Sequence, residues 1–116
     1  QISVWLINTG WTGGPYGIGH RILLKYTRAM IEAARTGLLN PSYNYKDYHI
    51  HSVFGIAQPR KCPGVPDSIL SPRKTWNNDN AFYKQANKLA RAFHINFKQF
   101  EDKVSKEILN CAPNFR

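Results

Sequence analysis

The residue types best suited to chemistry lie in a glycine-rich stretch at residues 10–19. Gly14 and Gly19 are separated by four residues and are followed by His20 and Arg21. A phosphate-binding P-loop has this glycine spacing, but it continues with Lys for charge and Ser or Thr for magnesium. The segment is therefore either a phosphate cradle that uses Arg21, or a glycine loop that lets the backbone pass close to a ligand or a neighbouring strand.

Metal and disulfide chemistry find little support in the chain. His49 and His51 share one face of a predicted strand, but no further ligand stands near them in sequence, so we interpret them as ordinary polar residues. Cys62 and Cys111 are 49 residues apart and form no C-x-x-C motif. We therefore expect reduced thiols in an intracellular, cytoplasmic protein, and no metal ligand in this chain.

The chain carries a strong positive charge. Its 16 Lys and Arg residues exceed its 7 Asp and Glu residues, for a net charge of +9. Such a balance suits an anionic partner, and the aromatic rings could stack on bases, so a basic nucleic-acid-binding module is one alternative. However, no run of basic residues exceeds two. Dispersed charge favours a solvated surface or contact with an acidic neighbouring domain, and we expect no nucleic-acid partner.

Hydrophobic patterning predicts the elements that position the glycine stretch. Strands are predicted over residues 2–8, 21–24 and 49–54, and helices over 25–36, 80–100 and 103–110. Gly37 would end the first helix, and Asn78 or Asp79 would cap the second. The long helix carries one apolar stripe, formed by Phe82, Ala86, Leu89, Phe93, Phe97 and Phe100. These elements predict a mixed α/β lobe, a single unit over residues 1–116, whose strands would join a larger sheet.

The first residues indicate a piece of a larger protein. The apolar run at residues 2–7 has no basic segment before it, and it is far shorter than the ~20 residues that span a bilayer. We therefore expect neither a signal peptide nor a membrane partner. A second alternative is a stand-alone interaction module. It differs from a piece of a larger protein only in lacking an upstream catalytic part.

Three blocks of sequence carry a family resemblance. The first comprises residues 4–19 with Arg21, Ile22 and residues 26–29, and the second comprises residues 62–66, 69–70 and 72–76. The third comprises residues 88–90, Phe93 and residues 96–100. In order and spacing they closely resemble the C-terminal region of ATP-dependent phosphoenolpyruvate carboxykinases. The resemblance covers nearly the whole chain. It implies the C-terminal, adenine-side part of a nucleotide-binding domain, incomplete by itself.

The resemblance implies both an activity and a site. Such enzymes convert oxaloacetate and ATP to phosphoenolpyruvate, ADP and CO2 in gluconeogenesis, using Mg2+ with the nucleotide and usually a second metal, often Mn2+. The matching nucleotide contacts are Arg21, Ile22 and Thr27. A guanidinium can lie on adenine or reach the phosphates, Ile22 can give apolar contact to the ring, and the Thr27 hydroxyl can reach a ring nitrogen.

Some family features are absent or changed. The family often has Lys or Ser where this chain has His20, whose role stays open. The chain has no G-x-x-x-x-G-K-[ST] motif and no carboxylate cluster for two metals. Because phosphoryl transfer depends on metal and cation positioning, we expect no catalytic residue here and no turnover by this chain alone. We interpret Trp5, Trp11 and Trp76 as packing residues.

Overall fold

The computed structural model describes residues 2–40 and 47–116, which divide into two compact units. The first unit contains the described residues of Gln1–His49 and Gln58–Asn77, and the second contains Ile50–Ala57 and Asn78–Arg116. The prediction of a single domain over residues 1–116 stays a prediction.

Short strands and helices of unequal length make up both units. In chain order they are β1 (Trp11–Thr12), β2 (His20–Arg21), α1 (Leu24–Arg35), β3 (Tyr48–Ile50), β4 (Ala57–Pro59), α2 (Asp67–Leu70), α3 (Asp79–Phe97) and α4 (Lys106–Leu109). Two 3₁₀ segments, Arg73–Thr75 and Lys98–Lys103, follow α2 and α3. β1 pairs with β2, and β3 pairs with β4. The predicted mixed α and β composition is confirmed.

Helix α1 supplies one side of the first unit's core. Its apolar residues recur at helical spacing, so Tyr26, Met30 and Ala33 share one face and pack with the buried side chains of Leu39, Cys62, Val65 and Leu70. Gly37 follows the helix with a φ of 81°, a backbone conformation that glycine adopts without strain. The predicted helix and its glycine terminator are confirmed, with bounds shifted by one residue.

Residues 2–8 do not form the predicted strand. They form no regular secondary structure. No described residue pairs with their backbone, and a strand exists only where a second backbone completes its hydrogen bonds. Trp5 packs against the first unit's core. The alternate side chains of Ile2, Val4 and Leu6 are 89%, 83% and 78% exposed. The strand prediction, which came from the apolar run, is therefore wrong within the described part of the chain.

Two other strand predictions need new bounds. The strand expected over residues 21–24 is His20–Arg21, because Leu24 already begins α1. The strand expected over residues 49–54 ends at Ile50, because the chain turns there: the Gly55 N–H donates to the His51 carbonyl oxygen at 2.8 Å. The His51 ring nitrogen Nδ1 accepts the N–H groups of Val53 and Phe54 in the same turn.

Helix α3 forms the body of the second unit. The Asn78 side chain accepts the Ala81 N–H at 2.9 Å, which confirms Asn78 as its N-cap. Ala86 and Ala90 are buried against Val53, which has no exposed surface. The helix ends at Phe97 and tightens into the 3₁₀ segment, so the prediction over 80–100 is right in kind and three residues too long.

The end of the chain is held on α3 by polar contacts. The His94 Nε2 lies 2.7 Å from the Pro113 carbonyl oxygen, and the Asn87 side chain exchanges two hydrogen bonds with the backbone of Arg116. The last helix occupies Lys106–Leu109, within the predicted 103–110, and Ser105 caps it. No helix in the described ranges has both the length and the apolar character needed to cross a membrane.

Candidate functional site

The glycine-rich stretch forms a hairpin, residues 10–22, which we call the glycine hairpin. Trp11 lies opposite Arg21 and Thr12 opposite His20 in an antiparallel pair. The Ile18 and Gly19 N–H groups both donate to the Pro15 carbonyl oxygen, at 3.0 and 2.9 Å. These N–H groups point into the turn, and a strand rather than a helix follows Gly19. The structure therefore favours the glycine-loop interpretation over the phosphate cradle.

Close backbone approach explains why glycine occupies position 19. A Cβ on Gly19 would lie 2.5 Å from the Gly14 carbonyl oxygen and 2.6 Å from that of Thr12. Both obstacles are backbone atoms, which cannot rotate away as a side chain can. The two sides of the glycine hairpin consequently meet at a distance that no larger residue permits.

Arg21 is an exposed cation at the end of β2. Its guanidinium carbon lies 6.0 Å from the centroid of the Trp11 ring, and Trp11 meets Tyr16 edge to face at 5.4 Å. A guanidinium over an indole is held by the negative face of the ring. Arg21 forms no ion pair with any described residue. Its charge is therefore oriented by Trp11 but not neutralised.

Ile22 and Thr27 lie on the path from β2 into α1. The half-buried Ile22 donates its N–H to the Gly10 carbonyl oxygen at 3.0 Å. Thr27, in the first turn of α1, is only 5% exposed, and within the described residues its hydroxyl makes no hydrogen bond. No hydrogen bond joins the side chains of Arg21, Ile22 and Thr27. The direct connection from strand to helix keeps them close along the chain.

A residue that the patterning did not single out contacts the glycine hairpin. The Gly13 N–H donates to Thr75 Oγ1 at 3.2 Å, and that hydroxyl donates to the Pro72 carbonyl oxygen at 2.6 Å. Gly13 has a φ of 81°, and a Cβ there would lie 3.4 Å from the Thr75 carbonyl oxygen and 3.5 Å from the His20 ring. Thr75 belongs to the second resemblance block, but 62 residues separate it from Gly13, and no local signal pairs them.

The first unit also contains a cavity of about 420 Å³ away from the predicted contacts. Its lining includes Leu39, Tyr48 and Cys62, and it does not include Arg21, Ile22 or Thr27. Burial raises the pKa of the Cys62 thiol. The pKa of the Tyr48 phenol is also raised, mainly by burial and to a smaller extent by the nearby Cys62. Among residues 2–40 and 47–116, no group of three or more His, Cys, Asp and Glu is arranged to bind a metal.

Comparison with known proteins relates the chain to one family. A protein-family model described as phosphoenolpyruvate carboxykinase matches residues 1–68. Three relatives carry the name phosphoenolpyruvate carboxykinase (ATP). The chain is 48% identical to that of Christiangramia forsetii and 53% identical to that of Flavobacterium johnsoniae, each over 97% of this chain and 20% of the relative. It is 46% identical to that of Thermus thermophilus, over 95% of this chain and 20% of the relative.

The chain thus spans about a fifth of the length of the relatives it matches. The family-model match covers the glycine hairpin, α1 and the segment up to α2, while the relatives extend the similarity over nearly all of the chain. The first resemblance block and the start of the second fall inside the matched residues. This chain therefore belongs to the ATP-dependent phosphoenolpyruvate carboxykinase family.

Proposed function

We propose that this chain forms the C-terminal, adenine-side part of the nucleotide-binding domain of an ATP-dependent phosphoenolpyruvate carboxykinase. The whole protein would convert oxaloacetate and ATP to phosphoenolpyruvate, ADP and CO2 in gluconeogenesis, in the cytoplasm. Similarity along nearly the whole chain to relatives of that name supports this proposal. The nucleic-acid-binding alternative rests on the net charge and on aromatic rings that could stack on bases. The relatives favour neither this alternative nor a stand-alone interaction module.

The observation that carries the proposal is the junction between β2 and α1. It presents the exposed Arg21, which has no acidic partner among the described residues, beside the half-buried Ile22. In the first turn of the helix, the buried Thr27 hydroxyl makes no hydrogen bond within the described residues. A planar, charged guanidinium, an apolar surface and a hydroxyl are the groups that would bind an adenine ring and orient its phosphates.

The metals belong to the proposal for the whole protein. When bound, Mg2+ and a second ion such as Mn2+ would neutralise charge on the transferred phosphoryl group. The described residues of this chain do not offer a ligand set for either ion. We therefore assign them no metal ligand, and we limit this chain's part to binding and orienting the base side of the nucleotide.

Replacement of Arg21 tests this assignment in the longer protein. We expect Arg21→Gln to weaken ATP binding about tenfold, the range for losing one charge-assisted contact. Arg21→Lys would restore part of the affinity, because it keeps the charge without the planar group. Isothermal titration calorimetry with ATP would measure the dissociation constants.

Arg35→Gln is the matched control for charge. Arg35 is exposed at the opposite end of α1 and pairs with Glu32, so its replacement removes one positive charge away from the junction. Its ATP affinity should equal that of the unmodified protein. An Arg21→Gln variant that binds ATP as tightly as the Arg35→Gln variant would contradict the proposed site.

A further inference from the structure

The glycine hairpin is too short to hold its own geometry. Each of its strands has two residues, and an isolated two-stranded hairpin is marginal in water. Its tip is exposed, with Tyr16 86% and Ile18 77% accessible to solvent. Whatever fixes the position of Arg21 and Ile22 must therefore include contacts from outside the hairpin.

Thr75 provides such a contact from the 3₁₀ segment Arg73–Thr75. Its hydroxyl has one hydrogen, which goes to the Pro72 carbonyl oxygen at 2.6 Å, so only its lone pairs can face the Gly13 N–H at 3.2 Å. The direction of both hydrogen bonds is thereby determined. One hydroxyl links the backbone of the hairpin to the backbone of the 3₁₀ segment.

The 3₁₀ segment is itself anchored in the first unit. It follows α2, whose Leu70 is buried in the hydrophobic core, and the Thr75 N–H also donates to the Pro72 carbonyl oxygen, at 3.2 Å. On the other side, Gly13 directly follows Trp11 and Thr12 of β1, which pair with Arg21 and His20. A continuous series of bonded groups therefore runs from the core through Thr75 to the strand that carries Arg21.

We propose that Thr75 is a positioning residue for nucleotide binding: its hydroxyl bond to Gly13 holds the glycine hairpin where Arg21 and Ile22 meet the nucleotide. This inference rests on the proposed function. The Thr75 hydroxyl bonds to Gly13 and Pro72 and makes no hydrogen bond to Arg21 or Ile22, so it acts through the hairpin backbone. Its removal should reduce affinity for ATP and leave the binding of the carboxylic acid substrate unchanged.

Thr75→Val and Thr75→Ser in the longer protein separate this role from packing. Valine has nearly the shape of threonine but no hydroxyl, so the Gly13 N–H loses its acceptor. Serine keeps the hydroxyl and loses only a methyl group. We expect Thr75→Val to raise the ATP dissociation constant and the KM for ATP about five- to tenfold, with the KM for oxaloacetate changed less than about twofold. Thr75→Ser should restore ATP affinity.

Thr36→Val is the matched control. The Thr36 hydroxyl also donates to a backbone carbonyl, that of Glu32 at 2.8 Å, but at the far end of α1. The Thr36→Val variant should keep the unmodified affinity for ATP. The inference is overturned if the ATP dissociation constant of Thr75→Val lies within twofold of that of Thr36→Val. It is also overturned if Thr75→Ser binds ATP as weakly as Thr75→Val, or if Thr75→Val raises the KM values for ATP and oxaloacetate equally.

The same series distinguishes this inference from the function on which it rests. If Arg21→Gln weakens ATP binding and Thr75→Val does not, the positioning role fails and the proposed site stands. If neither variant changes ATP binding, both fail. Hydrogen–deuterium exchange of the unmodified protein covers the case in which Thr75→Val does not fold: ATP should slow exchange in residues 11–22 and 73–76 together. Unchanged exchange in both segments would overturn the inference.

Discussion

A buried thiol and a half-buried phenol in the first unit make its stability fall at alkaline pH. Burial raises the pKa of the Cys62 thiol above its ordinary value of 9.0 and that of the Tyr48 phenol above 10.0. The Tyr48 hydroxyl donates to the Leu39 carbonyl oxygen, a bond that ionisation would remove. Both groups therefore hold their protons more tightly in the folded state than in the unfolded state.

The sign of the pH effect follows from linkage. Below pH about 9 both groups are protonated in both states, and their contribution to stability is fully present. As the pH rises above 9, the unfolded chain loses its protons first, so the free energy of unfolding falls. We expect thermal melts between pH 7 and 10.5 to show this fall, and Cys62→Ala to reduce its slope. The exposed Cys111→Ala is the control, and equal slopes in the two variants would contradict the assignment.

At the scale of elements, the glycine hairpin depends on the close approach of its two sides at Gly19. We expect Gly19→Ala to destabilise the protein by about 3 kcal/mol, because its Cβ would meet two carbonyl oxygens within 2.6 Å. Gly17→Ala, with a φ of 90° and nothing within 4 Å of its Cβ position, should cost only the backbone strain of about 1–2 kcal/mol. Chemical denaturation of both variants measures the difference, and equal losses would show that the close approach is not what requires glycine at position 19.

Helix α3 shows how far an apolar stripe predicts burial. The spacing of Phe82 and Ala86 correctly placed one face of the helix in the second unit's core. Leu89 and Phe93, on the same predicted stripe, are 46% and 50% exposed, while Ala90 is fully buried. Periodicity identifies a helix and its apolar side, but which residues on that side are covered depends on where Val53 and its neighbours lie.

At the scale of the whole molecule, residues 2–7 determine whether the purified chain associates with itself. Ile2, Val4 and Leu6 are almost fully exposed, and no described residue pairs with the backbone that carries them. Exposed apolar side chains on a segment whose backbone pairs with no described residue favour association with another chain. We expect the purified 116-residue chain to self-associate and to show no ATP-dependent decarboxylation of oxaloacetate.

Paired lysine substitutions locate the surface responsible. Val4→Lys with Leu6→Lys should convert the chain to a monomer, as measured by size-exclusion chromatography with light scattering. Ile31→Lys with Ile95→Lys adds the same charge at exposed apolar residues on α1 and α3, and it should leave the association unchanged. A monodisperse monomer of the unmodified chain, or turnover by that chain, would contradict the prediction.

The sequence by itself determined the family, the helices and the residue types at the junction between β2 and α1. Glycine and apolar spacing are local properties, so α1, its glycine terminator and the Asn78 cap were predicted with small errors at their ends. Arg21, Ile22 and Thr27 followed from the resemblance, because motif residues keep their spacing along the chain. Their role in nucleotide binding stays a prediction.

Only the tertiary structure decided which backbones and side chains meet. Strand formation requires a partner, and for residues 2–8 none lies among the described residues, so the apolar run alone gave a wrong prediction there. Thr75 reaches Gly13 across 62 residues, a pairing that local patterning cannot encode. The position of Arg21 over Trp11 likewise depends on the register of β1 and β2. That register forms only when the glycine hairpin closes, which requires the two sides of the hairpin to approach closely at Gly19.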